Sequence, residues 1–188
     1  TGQSWYFGGE LSLNVWQRKF SFIDIFGGIR YDHEKTENEA ILTTGETDFL
    51  IPYIGARYDR TNDKSSTHIE GRFETNLPDL AGTDQSEVDN LGRADADKDW
   101  TVFRFEAATS FFLEPLLYRR DWGNPDAPYR HTTLAHEIAL SLRAQYGFDN
   151  RLIPQQEITA GGLYTVRGYD ESIVAGDNAI IASAEYRW

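Results

Sequence analysis

The feature that most constrains this chain is a two-residue alternation of apolar and polar side chains. It persists for about ten residues at a time and recurs about seven times along the sequence. In the stretch 5–15, Trp5, Phe7, Leu11, Leu13 and Val15 share one face, and Tyr6, Glu10, Ser12 and Asn14 share the other. Ile23, Ile25, Ile29 and Tyr31 alternate with Asp24, Gly28, Arg30 and Asp32. Leu50, Ile54, Ala56 and Tyr58 oppose Arg57 and Asp59. The pattern is strongest in 67–77, where Ile69, Gly71, Phe73 and Leu77 oppose His68, Glu70, Arg72, Glu74 and Asn76. It returns with Phe103, Phe105, Ala107 and Phe111 against Arg104, Glu106 and Ser110. Leu134, Ile138, Leu140, Leu142 and Tyr146 stand against Glu137, Ser141, Arg143 and Gln145. Finally, Ile180, Ala182, Ala184, Tyr186 and Trp188 oppose Ser183, Glu185 and Arg187. Such segments are strands with one face in an apolar medium.

The polar face narrows the choice. Glu and Arg interleave along single strands, as in Glu70-Arg72-Glu74, Arg104-Glu106 and Glu185-Arg187. Tyr31, Tyr58, Tyr146, Tyr186 and Trp188 sit at strand ends on the apolar face. An apolar face toward lipid, a polar lumen and aromatic girdles are the layout of an antiparallel transmembrane β-barrel of outer-membrane type. A soluble antiparallel sandwich or barrel is the competing all-β reading. The expected lumen charges are therefore Glu70, Arg72, Glu74, Arg104, Glu106, Glu137, Arg143, Glu185 and Arg187. Ile69, Phe73, Phe103, Phe105, Ile138, Leu140, Leu142 and Ile180 are expected to face lipid.

Composition removes other classes. A net charge of −12 leaves no basic footprint for nucleic acid. The absence of cysteine excludes disulfides and thiolate chemistry. Mean hydropathy is −0.54, and no apolar run reaches the ~18 residues of a transmembrane helix. That test says nothing against alternating strands, which average out as polar. The chain begins at Thr1 rather than Met, as a processed or excised chain would.

The connections alternate in length, as barrel loops do. The first (17–20) is short, and the second (33–47) is expected to be long. The third (60–66) is short, and the fourth (79–99) is long and acidic. The fifth (114–130) breaks the rule by being long. The sixth, about 148–178, is long. Asp95, Asp97 and Asp99 resemble the start of a calcium loop, but Trp100 stands where that loop needs Gly, so the stretch reads as solvated acidic loop. His33, His68, His131 and His136 lack zinc-site spacing. No nucleophile, phosphate-loop or dinucleotide motif is present. The sequence thus predicts no enzyme activity, no metal and no cofactor.

One stretch of the sixth connection carries more. Val166-Arg167-Gly168-Tyr169, followed by Gly176-Asp177-Asn178 and the strand 179–188, resembles the large-loop signature of the BamA superfamily. The string from Gly161 to Trp188 is most similar to its two-partner-secretion branch, the TpsB-type haemolysin activators. The resemblance implies a sixteen-stranded barrel preceded by POTRA domains, with this loop folded into the lumen. Residues 1–188 would then be part of the barrel, about seven strands, lacking the POTRA domains and the last strands. The implied function is an outer-membrane pore in a Gram-negative-type bacterium that secretes a large exoprotein without ATP. A BamA- or TamA-like assembly factor is the alternative. The strand whose Asp usually receives the loop arginine is missing, so Glu185, then Glu106 and Glu137, are the expected partners of Arg167. The planar guanidinium remains charged in a lumen, and the glycines permit tight turns beside it.

Overall fold

The computed structural model describes residues 2–38, 43–126, 132–162 and 173–188. Nine strands lie among them: β1 (Gly2–Arg18), β2 (Ser21–Asn38), β3 (Thr43–Asn62), β4 (Ser65–Thr75), β5 (Thr101–Phe112), β6 (Glu137–Tyr146), β7 (Ile158–Ala160), β8 (Val174–Gly176) and β9 (Ala179–Arg187). Three single-turn helices join them: α1 (Pro78–Ala81), α2 (Gln85–Val88) and α3 (Glu114–Leu117). Seven strands form one antiparallel sheet in the order β1-β2-β3-β4-β5-β6-β9. β7 and β8 form a separate two-stranded ribbon inside the connection from β6 to β9. The fold is all-β, and the large sheet is open, with β1 and β9 as its edges.

Register carries the sequence alternation across the sheet. Arg72 pairs with Gly55 on one side and Arg104 on the other, and Glu70 with Arg57 and Glu106. Glu106 pairs in turn with Arg143, and Glu137 with Arg187. All the expected polar residues therefore share one face. Tyr6 of β1, Arg30, Asp32 and Glu34 of β2, Arg72 of β4 and Arg104 of β5 line a common cleft of about 330 Å3. Strands that far apart in the sheet share a cleft only if the sheet curls, so the polar face is the concave one. The opposite face leaves its apolar side chains uncovered: Ile54 is 61% exposed and Ile180 is 77% exposed.

Three expectations are corrected. The second connection is not a long loop. β2 and β3 stay paired out to Asn38 and Thr43, leaving only 39–42 between them. Charges on the hairpin's outer face support this extension: His33 Nδ1 lies 2.8 Å from Asp48 and Lys35 Nζ lies 3.3 Å from Glu46. The stretch is polar, as loops are, yet opposite charges facing each other across strands stabilise pairing. Next, β1 runs past Val15 into the expected first connection, to Arg18. The register jumps from Asn14↔Asp24 to Trp16↔Ile23, a bulge that turns Trp16 outward beside Ile23. Finally, the acidic fourth connection is a packed cap. Val88, Leu91, Ala96 and Trp100 bury against Phe49 and Ile51 of β3, Val102 of β5, and Leu152 and Ile153. Asp97 accepts from Arg151 N at 2.7 Å, while Asp95 and Asp99 stay exposed.

Local chemistry explains the tight ends. Asn62 Oδ1 accepts from Lys64 N (2.9 Å) and Ser65 N (3.1 Å), closing the β3–β4 turn. Asn76 ties the cap down by accepting from Leu50 N at 3.0 Å and donating to Lys98 O at 2.6 Å. Asp84 caps α2 by accepting from Ser86 N at 3.0 Å. Trp100 is fully buried at the centre of the cap. Trp100→Ala should cost the cap about 3–5 kcal/mol. Amide hydrogen exchange should then speed up across 77–100 while the β2–β3 amides keep their protection. Equal acceleration in both places would show that cap and sheet unfold together.

Candidate functional site: the charged concave face and its ribbon

The concave face holds a continuous chain of opposite charges. Glu10 of β1 lies 3.9 Å from Arg57 of β3, which donates to Glu70 of β4 at 2.7 Å. Arg72 bridges Glu70 at 3.8 Å and Glu74 at 2.7 Å. Glu74 also lies 3.3 Å from Arg104 of β5. Its side chain is 1% exposed, so two guanidiniums neutralise a carboxylate cut off from water. Both of its contacts are ion pairs rather than aligned hydrogen bonds. Of the expected lumen charges, Glu70, Arg72, Glu74 and Arg104 belong to this chain. Arg143 stands opposite Glu106 one strand further on. Arg187 sits at the far end of β9, 3.0 Å from Glu185 and 3.5 Å from Glu137.

Two glycines let bulky rings lie among these charges. A Cβ on Gly55 would stand 2.5 Å from the Phe26 ring, and one on Gly28 would stand 2.5 Å from the Tyr53 hydroxyl. Bare backbone at both places admits the rings. Phe26 is consequently 1% exposed on a polar face, with the Arg57 guanidinium 4.8 Å from its centroid. Tyr53 donates to Glu10 at 3.2 Å.

The connection from β6 to β9 crosses this face. Arg104 donates to Gln156 O at 3.0 Å and to Gln156 Oε1 at 3.1 Å. Gln145 Nε2 donates to Gln156 O (3.1 Å) and Asp177 O (3.2 Å), joining the two arms of the connection from below. Gln155 Nε2 donates to Thr36 of β2 at 3.3 Å. Glu157, Ile158 and Thr159 share a second cleft, of about 190 Å3, with Glu70, Arg72, Arg104, Glu106 and Arg143. The β7–β8 ribbon thus starts down the charged face of β4 to β6.

Val166, Arg167, Gly168 and Tyr169 lie between β7 and β8, outside the described residues. Gly176 and Asp177 are described. Gly176 ends β8, and Asp177 receives a fork from Arg93 of the cap. Arg93 Nη1 donates to Oδ1 at 2.6 Å and Nη2 donates to Oδ2 at 2.8 Å. Arg93 Nη1 also donates to Glu157 at 2.7 Å and Leu152 O at 2.9 Å. Asn178 Oδ1 accepts from Gly147 N at 2.7 Å. The sequence pattern puts Gln145 on the polar face without a role and gives no sign of Arg93 or Gln156. Arg93 looks like a solvated residue of an acidic loop, and only the packing of the cap against 151–153 brings it to Asp177.

Burial raises the Asp177 pKa, but donation from Arg93 and Leu152 N, with the Arg93 and Arg151 charges, outweighs this and holds it below 3.8. The stabilisation it contributes is complete above its unfolded value and is lost as pH falls through the lower folded one. Acidification from pH 6 to below about 3.8 should increase protease cleavage around 158–160 and 174–176 before the sheet melts. Asp177→Asn should abolish that step, and a step that survives in the variant would place the titration elsewhere.

An open all-β sheet with an apolar outer face, a charged concave face and a loop ribbon laid across it defines the class of architecture. Within it, residues 128–188 match the family model described as Haemolysin secretion/activation protein ShlB/FhaC/HecB. The matched stretch holds β6, the ribbon and β9. No curated protein matches the chain.

Proposed function

We propose that this chain forms part of an outer-membrane β-barrel that secretes a large partner protein in two-partner fashion. The observation that carries the reading is that the stretch similar to the haemolysin secretion family contains the ribbon seated on the charged concave face. A lipid-facing outer surface accounts for the uncovered apolar side chains, which water would penalise. A lumen accounts for a chain of paired charges on the other side. Long aromatic contacts near the rim, such as Trp5 with His33 at 5.2 Å and Tyr146 with Phe148 at 4.8 Å, suit a membrane interface. Further strands would complete the barrel and satisfy the edges of β1 and β9.

The same reading gives Arg167, which lies outside the described residues, the role of pairing with a carboxylate of the concave face, and removal of either partner then weakens export. Glu106 is favoured among the candidates because it lines the cleft that the ribbon enters. Glu185 and Glu137 each lie near Arg187.

Two experiments test the proposal. Leu142 of β6 faces outward at mid-strand, paired with Ala107 and Ala182, and Glu106 of β5 faces inward. A charge facing lipid near mid-membrane costs about 2–4 kcal/mol. Leu142→Arg should therefore block folding into phospholipid vesicles while Glu106→Gln folds nearly as the parent does. Equal yields would reverse the assignment of faces. In cells that co-express the full-length protein and its exoprotein, Arg167→Ala should lower exoprotein in the medium with the barrel still inserted. Unchanged export of the exoprotein, with defective insertion of other barrels instead, would favour the assembly-factor reading.

A further inference from the structure

The ribbon has a neck. Glu157 immediately precedes β7, and Asp177 immediately follows β8. Their carboxylates lie 2.7 Å and 2.6 Å from the same nitrogen, Nη1 of Arg93. The two oxygens are therefore no more than about 5.3 Å apart. All three side chains are largely shielded, with exposures of 25% for Arg93, 12% for Glu157 and 18% for Asp177. Like charges so close repel unless a counter-charge stands between them. Arg93 belongs to neither arm of the ribbon. It comes from the cap, whose apolar residues are anchored on Phe49 and Ile51.

We propose that Arg93 is a positioning residue that closes the neck of the β7–β8 ribbon by neutralising Glu157 and Asp177 together, and so fixes the ribbon to the cap. The guanidinium meets both arms at once because it is a planar fork with five donors. Two of its N–H groups serve Asp177, and Nη1 also serves Glu157 and Leu152 O. Gln145 joins the same two arms, but through main-chain carbonyls and from β6, so it adds no charge and no link to the cap. Without Arg93 the neck holds two facing carboxylates and opens. The cap and the ribbon then part, and displacement of the cap by an emerging polypeptide would release the ribbon by the same route. This last step rests on the secretion reading; the closed neck does not.

The chain has no cysteine, so in a full-length protein cleared of any cysteine elsewhere Thr159→Cys gives a single thiol one residue inside β7. Its reaction with a charged maleimide, on the folded full-length protein in detergent, reads whether the ribbon stays seated. Arg93→Met keeps the stem and removes the charge. Labelling should then accelerate at least about ten-fold. Added salt should slow that labelling by screening the carboxylates, and should speed it in the parent by weakening the clip. Arg93→Lys, a point charge without the fork, should fall between the two. Adding Glu157→Gln and Asp177→Asn to Arg93→Met should slow labelling back toward the parent rate. Unchanged labelling in Arg93→Met, or acceleration that ignores salt and the amide substitutions, overturns the proposal. Should Arg93→Met fail to fold, Asp177→Asn alone must accelerate labelling for the proposal to stand. Secretion is scored separately. Faster labelling with no exoprotein export by the parent protein would leave the clip intact and sink the secretion reading.

Discussion

Charge pairing on the concave face is the constraint on which the arrangement depends. Seven strands in register bring polar side chains of one parity onto one surface, where neighbouring strands are about 4.8 Å apart. Glu and Arg are then forced together, and the arrangement is tolerable only because signs alternate from Glu10 through Arg57, Glu70, Arg72 and Glu74 to Arg104. Slipping one strand by a residue would turn its charges to the apolar side and place its apolar side chains among the remaining charges. Such a network is weak evidence of net stability, since desolvation offsets much of the attraction. Its value is in register: this pairing sets two guanidiniums beside the buried Glu74.

The cap and the ribbon are arranged around that surface. Phe49 and Ile51 occupy the same parity on β3 as Arg57, yet they are buried and apolar because the cap lies over them. The strand changes from charged to apolar along its inner face where the covering changes from open cleft to packed cap. Leu152 and Ile153 complete that core and carry the chain directly to Gln155 and Gln156, which lie across the concave face. One guanidinium from the cap then meets both ends of the ribbon. Apolar packing sets where the cap sits, and directional hydrogen bonds set where the ribbon starts.

This order of dependence bears on movement. Among the described residues, strands β2 and β3 share the longest register, while the ribbon shows three paired positions and an ionic neck. Elements held by few pairs and by charges open at lower cost than paired strands.

The alternation by itself determined the seven main strands, the parity of Glu70, Arg72, Glu74, Arg104, Arg143 and Arg187, and the outward placing of Ile69, Phe73 and Ile180. A period of two is a local property of an extended chain and survives whatever the strand pairs with. The motif at 166–178 marked the sixth connection as special on resemblance. Tertiary structure alone decided the rest. The stretches 33–38 and 43–47 became paired strand because His33 and Lys35 met Asp48 and Glu46 across the hairpin. The acidic fourth connection became a cap because Val88, Leu91, Ala96 and Trp100, scattered without a period, found Phe49 and Ile51 on another strand. Arg93 met Asp177, 84 positions away in sequence, only after that packing. Contacts of that kind depend on where separate segments come to rest, and no spacing within either segment encodes them.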